Sequence, residues 1–167
     1  MPEPVTHAAR SEALGLTLEM TLVEGAIRRL HLSRRPAEGP SHPYLDRVLR
    51  HLATGREDLR DLPIAPQVGA FDHEVHALLR EVPPGKTTTY GALAERLGKP
   101  GAARAVGQVC ARNPVLLLVP CHRVLQGGGG LGHFSAEGGP AVKRQLLQIE
   151  GALPRELAGP VQARLPL

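Results

Sequence analysis

Leu14, Leu16, Leu18, Met20 and Leu22 alternate with Gly15, Thr17, Glu19 and Thr21, the two-residue period of a strand with one buried face. Glu24-Gly25 follows as a turn, and Leu30 and Leu32 resume the alternation before a loop over 34–40. The chain is therefore expected to open with an antiparallel hairpin. After Ser41 the period changes. Leu45, Val48, Leu49 and Leu52 recur at helical spacing and stop at Thr54-Gly55. Residues 55–70, with Pro63, Pro66 and Gly69 among mixed charges, read as a connector.

Beyond the connector the helical period dominates. Phe71, Val75, Leu78 and Leu79 form a stripe that Pro83-Pro84-Gly85 stops. Thr89 is placed to cap a helix carrying Tyr90, Leu93, Ala94 and Leu97, closed by Gly98. After Lys99-Pro100-Gly101 a second helix turns Ala102, Val106 and Val109 inward, and the pair is a helix-turn-helix candidate. The outer face of that second helix holds Ala103, Arg104, Gly107, Gln108 and Ala111. Small residues one turn apart let a large object approach closely, whether a neighbouring helix or a ligand, and one long arginine projects from among them. Val115 to Val119 is a short buried run, and Pro140 opens a last helix with Val142, Leu146, Leu147 and Ile149 before Gly151. The fold expected is an α/β N-terminal lobe, a small antiparallel sheet plus a helix, over 1–68. A mostly helical C-terminal lobe with the helix-turn-helix follows over 69–167.

Composition narrows the function. In 167 residues, 42% hydrophobic, the first ten carry no apolar run behind a basic start and no apolar stretch nears 18 residues, so neither a leader nor a membrane span is expected, and a cytoplasmic or nucleoid-associated protein is. Two cysteines, Cys110 and Cys121, build neither a disulfide framework nor a four-cysteine zinc site. The 2% aromatic content and lack of tryptophan argue against a stacking platform for single strands. The net charge is +4, and between Lys86 and Glu150 eight Lys or Arg face three Glu. The basic excess therefore lies in the half that holds Cys121, which suits a phosphate-rich partner as well as it suits solubility.

Cys121 has His122 and Arg123 directly after it and Pro120 before it. The thiolate is the nucleophile, and a histidine base or a positive field is what raises its population. Neighbours on an extended strand point to opposite sides, so a Cys121-His122 relay needs a tight turn or a bridging water. Such a histidine is normally oriented by a third group, and Glu150 is the most attractive acid in this lobe. On pattern alone a cysteine after an apolar run is more readily a small buried hydrophobe, and Cys110 keeps that reading. His73-Glu74-Val75-His76 lacks the four-residue spacing of a zinc-protease helix and reads as solvent-facing histidines. The run Gly127 to Gly130 lacks the lysine-serine or lysine-threonine pair of a phosphate loop.

Pro120-Cys121-His122-Arg123-Val124, preceded by Arg112-Asn113-Pro114, resembles the active-site signature of the O6-alkylguanine-DNA alkyltransferases, the methylated-DNA-protein-cysteine methyltransferases. The likeness extends to Pro84-Gly85, Thr89-Tyr90-Gly91, the run from Ala102 to Gly107, and Lys143 through Gly151, covering roughly 70–151. It implies that Cys121 accepts the alkyl group, activated through His122 and a water with Glu150 orienting the histidine, and that Asn113 braces the turn. It implies that Tyr90 donates to the flipped guanine and that Arg104 fills the gap left in the base stack. Ala103, Gly107, Thr89 and Arg123 join Tyr90 and Arg104 on the DNA. Val124, Ser135 and Phe134 line the pocket, and Lys143 lies near the leaving oxygen.

The implied partner is duplex DNA carrying O6-alkylguanine, with O4-alkylthymine a further candidate, met by a monomer that needs no metal or organic cofactor. A base inside a duplex must be rotated out for such chemistry. The sequence departs from the family pattern in the two extra residues Ala136-Glu137, in Phe134 where many members have tyrosine, in His76 where members commonly have tryptophan, and in lacking the N-terminal cysteines of a zinc site. Two other readings compete. A lesion binder without transfer activity would have its acceptor cysteine replaced, and a cysteine hydrolase would leave the Arg104 helix without a purpose.

Overall fold

The structure, a computed structural model, describes residues 2–158; the last part of the expected C-terminal lobe, 159–167, lies outside the described residues. Three strands, β1 (Val5–Ser11), β2 (Leu16–Val23) and β3 (Ala26–Ser33), form an antiparallel sheet in that order. The expected hairpin is β2-β3, with Leu18 opposite Leu32 and Met20 opposite Leu30. Its two-residue turn has φ of 52° at Glu24 and 79° at Gly25, the doubly left-handed pair that matches the twist of the strands it joins. β1 is an addition to the sequence reading. Only Ala8 and Ser11 are buried in it, so it has no apolar alternation to detect.

Helix α1 (Pro43–Thr54) buries Leu45, Val48, His51 and Leu52. Pro43 stands in its first turn, and His42 is the cap, its ring accepting from the Tyr44 N–H. At the far end Gly55 takes φ 73° and donates to the His51 carbonyl at 2.6 Å. A Cβ at Gly55 would sit 2.1 Å from the Ile149 carbonyl oxygen. Only glycine permits both the left-handed cap and that approach.

The remaining helices are α2 (Ala70–Arg80), α3 (Tyr90–Arg96), α4 (Ala103–Ala111), α5 (Gly139–Ile149) and the short α6 (Arg155–Ala158). Thr89 caps α3, its hydroxyl accepting from the Ala92 N–H at 3.1 Å. α3 and α4 pack together across a turn over 97–102. A parallel pair, β4 (Thr88–Thr89) with β5 (Val124–Leu125), ties the start of α3 to the chain just after Cys121.

The connector is not loose. Ile27 donates to the Pro63 carbonyl and accepts from Ala65, while Leu30 donates to Pro114 and accepts from Leu116. β3 therefore holds both the connector and the run leading to the cysteine. One apolar core extends from Leu14 in the first turn to Leu146 in α5 and includes Val115 to Val119. No helix among the described residues is long and apolar enough to cross a membrane.

Candidate active site

The approach to Cys121 is a series of tight turns. Leu118 donates to the Leu116 carbonyl around Leu117, whose φ of 72° is a left-handed value for a residue with a Cβ, a strained form of γ-turn. Pro120, at φ −82° and ψ 63°, then closes an inverse γ-turn in which Cys121 donates to Val119 at 2.8 Å. Cys121–Arg123 is one turn of 3-10 helix. With three residues per turn, the three side chains leave in three directions, about 120° apart. The alternation of an extended strand is thus broken where the sequence needed a turn.

Asn113 stands inside this turn. Its amide nitrogen donates to the Val119 carbonyl at 2.8 Å and to Cys121 Sγ at 3.2 Å, while its oxygen accepts from the Val115 N–H at 2.9 Å. One side chain holds both sides of the loop and aims a donor at the sulfur. Burial pushes the Cys121 thiol up, and the Asn113 hydrogen bond and the nearby Lys143 ammonium work against that rise.

Behind the turn lies a buried carboxylate held by three side chains. Glu150 accepts from His122 Nε2 at 3.0 and 3.1 Å, from Arg123 Nε and Nη2 at 2.9 and 2.7 Å, and from His51 Nε2 at 2.7 Å. Burial alone would raise this carboxyl, but Arg123, His122 and His51 together hold it well below the usual carboxylate range. An ionised carboxylate only accepts, so His122 carries its proton on Nε2 and leaves Nδ1 as the basic nitrogen; Nδ1 has no protein partner. Burial lowers the His122 pKa, outweighing the pull of Glu150. The imidazole is neutral at neutral pH, ready to take a proton.

Arg123 requires a correction. Expected on DNA, it is buried with its fork on Glu150 and its third nitrogen donating to the Val82 carbonyl at 2.7 Å. With all three nitrogens turned inward and its side chain only 8% exposed, this guanidinium is not presented to a phosphate. His51, which the sequence reading passed over, completes the cluster from α1. The signal was available: His51 lies three residues after Val48 on the buried stripe of that helix.

On the other side of Cys121 is a cavity of about 20 Å³ lined by Tyr90, Gly107, Cys110, Ala111, Cys121, His133, Phe134 and Ser135. That is room for one water. Phe134 and Ser135 thus stand at the cavity wall, while Val124 does not. Val124 is fully buried in β5, and its carbonyl accepts from Lys143 Nζ at 2.7 Å. Lys143 is itself fully buried, donates also to His133 at 3.1 Å, and lies 6.0 Å from the centre of the Tyr90 ring. Burial lowers its pKa, and burial pushes the Tyr90 phenol up to about 12. Cys110, read as inert, lines the same cavity, with its thiol pushed up to about 12 mainly by burial.

An open groove of about 620 Å³ adjoins the cavity, sharing Tyr90, Gly107, Ala111 and His133 and adding Ala103, exposed Arg104 and Gln108 from α4. The predicted DNA residues therefore gather on one face, apart from Arg123 and from Thr89, whose hydroxyl is engaged in the α3 cap. His76 also departs from expectation. It is 5% exposed, not solvent-facing, and neither ring nitrogen has a partner. Among the described residues no group of three His, Cys, Asp or Glu could hold a metal ion.

Residues 70–152 match the family described as 6-O-methylguanine DNA methyltransferase, DNA binding domain. A methylated-DNA–protein-cysteine methyltransferase of Methanosarcina acetivorans is 41% identical over 92 residues, 55% of this chain and 58% of that protein. One from Salmonella typhimurium is 47% identical over 83 residues, 50% of this chain and 47% of that protein. The chain belongs to the O6-methylguanine DNA methyltransferase family. This family member thus spans about half to two thirds of the length of the curated relatives it matches. Over nearly its whole length it superposes on the O6-methylguanine methyltransferase of Mycobacterium tuberculosis, with a TM-score of 0.74 and 26% identity, covering 93% of this chain and 98% of that one. A structure of Mycobacterium tuberculosis OGT in complex with DNA matches at 29% identity and TM-score 0.74, covering 87% and 92%.

Proposed function

We propose that this chain repairs DNA by moving an alkyl group from O6 of guanine to Sγ of Cys121, irreversibly and once per molecule, after the nucleotide has turned out of the duplex. One observation carries the reading. Cys121 lines a cavity that opens beside the groove of Arg104 and Tyr90, and the His122-Glu150 pair stands immediately behind it. Sequence relatives are named methylated-DNA–protein-cysteine methyltransferases, which agrees with that geometry.

The chemistry follows from the donors. The Cys121 proton passes through a water to His122 Nδ1, and Asn113 supports the sulfur as it gains charge. Sγ attacks the alkyl carbon, a C–S bond forms, the C–O6 bond breaks, and the electron pair leaves on the guanine. Tyr90, still protonated because its pKa is high, and Lys143 are the groups placed to meet that charge. The product is a thioether with no leaving group, so the protein is consumed. The nucleophile and every acid or base in this scheme come from the chain itself.

Residues 1–68 serve as the supporting α/β lobe and 69–167 as the helix-turn-helix and transfer unit. Small residues on α4 allow close approach to a minor groove, contacts to backbone rather than to bases keep sequence preference low, and Arg104 occupies the vacated stack. A cavity that holds one water does not admit a purine, so entry of the base displaces the wall at 133–135. Incubation with an O6-methylguanine duplex followed by tryptic mass mapping tests the reading. The peptide 113–123 contains Cys121 but not Cys110, and a gain of one CH2 on it is expected. A peptide of unchanged mass, or a gain on Cys110 alone, refutes it.

A further inference from the structure

α1 belongs to the N-terminal part of the chain, yet it contributes one of the three side chains on Glu150. His51 is 1% exposed and sits on a stripe otherwise made of Leu45, Val48 and Leu52. Packing alone would be served there by another aliphatic residue. Instead His51 Nε2 lies 2.7 Å from Glu150 Oε2, shorter than either contact that His122 makes with the same carboxylate. Glu150 lies just past the end of α5, where it would be free to follow any shift of that helix. Gly55, one turn after His51, abuts the Ile149 carbonyl so closely that a Cβ would fall 2.1 Å from it. The backbone of α1 is thereby fixed against the residue before Glu150, and His51 delivers its donor from that fixed frame.

The lone-pair positions of the carboxylate are then filled. Arg123 takes one position on each oxygen, His51 takes the outer side of Oε2, and His122 reaches across both. Removing the His51 donor leaves Oε2 a vacant position into which the carboxylate can rotate about the Arg123 fork, turning the oxygens away from His122. The charged and titratable groups on this carboxylate are His51 from α1 and His122 and Arg123 from the cysteine turn.

We propose that His51 is a positioning residue for Cys121 reactivity: it fixes the Glu150 carboxylate so that His122 keeps its Nε2 on that carboxylate and its Nδ1 bare. This rests on the alkyl-transfer reading for its purpose, but its test does not require DNA. The pair His51→Gln and His51→Asn separates position from polarity. The amide nitrogen of Gln can stand where Nε2 stands, whereas Asn ends near the Nδ1 position, short of Glu150.

The measurement is the rate of Cys121 alkylation by excess iodoacetamide against pH, read on peptide 113–123, with circular dichroism on each variant. For His51→Asn the profile is expected to move up by about one pH unit, which is about tenfold in rate at a fixed pH below its midpoint. For His51→Gln most of the wild-type rate is expected to return. Identical profiles for the two variants overturn the proposal. Unfolding of both also overturns it, since His51 would then be a packing residue. A wild-type protein that takes no methyl from DNA while the two variants still differ would refute the transfer reading and leave His51 in its role.

Discussion

Replacing Arg123 with methionine distinguishes a residue that faces DNA from one that anchors the site. The substitution keeps most of the aliphatic stem and removes the fork, which makes bonds of 2.9 and 2.7 Å to Glu150 and 2.7 Å to the Val82 carbonyl. The side chains of Arg123 and Glu150 are only 8% and 1% exposed, so water cannot replace the lost donors. Removing one partner of such a pair costs about 3–5 kcal/mol. At roughly 2–4 °C per kcal/mol for a chain of this size, Tm should fall by about 6–20 °C. The loss should also depend on pH. Because the Glu150 carboxyl is held below its ordinary range, its contribution is complete above that range and disappears as pH falls below it. The gap between wild type and variant should therefore narrow below about pH 4. Differential scanning calorimetry from pH 3.5 to 7 measures both. A phosphate contact behaves differently: Tm stays put, and the slope of log affinity for duplex DNA against log salt falls by about 0.9. An unchanged Tm together with a reduced salt slope would refute the buried-anchor argument.

Gly55→Ala forces a Cβ to within 2.1 Å of the Ile149 carbonyl at a residue with φ 73°. A destabilisation of about 2–4 kcal/mol is expected in urea unfolding, and a loss under 0.5 kcal/mol would mean that α1 and α5 separate without penalty. Arg104→Ala removes the long side chain of α4 while leaving the cysteine turn intact. Transfer from duplex DNA should slow by at least about tenfold, with reaction of free O6-benzylguanine reduced less than twofold; equal losses on the two substrates would remove Arg104 from the base stack.

Much of this was legible in the residues, and what was not has a common cause. The alternation from Leu16 to Leu22 gives β2 because its partner face is apolar, while β1 is recruited by backbone pairing with β2 and leaves no such mark. Thr89 and Gly55 announce helix ends through chemistry that is local. Arg123 was misread because a cation beside a nucleophile looks like a phosphate ligand, and nothing nearby says that a carboxylate 27 positions later lands on it. His51 lies 99 positions from Glu150, so its pairing is a fact of tertiary structure alone. His76 was placed by its polarity, whereas its position beside Val75 and one turn before Leu79 and Arg80 puts it against the core. Local patterns reveal elements and caps, and the assembly of a buried charge cluster from distant segments escapes them.

The small cavity beside Cys121 has a consequence for the protein between encounters. If the protein acts once, as proposed, it is lost whenever its sulfur meets a bystander electrophile or oxidant instead of a lesion. Burial that keeps the sulfur mostly as a thiol, behind walls with room for little more than one water, slows such losses in the resting protein. On the proposed reading, reactivity is then spent only when displacement of the 133–135 wall coincides with delivery of a base. The same walls that obstruct the proposed substrate would therefore set the working lifetime of each copy.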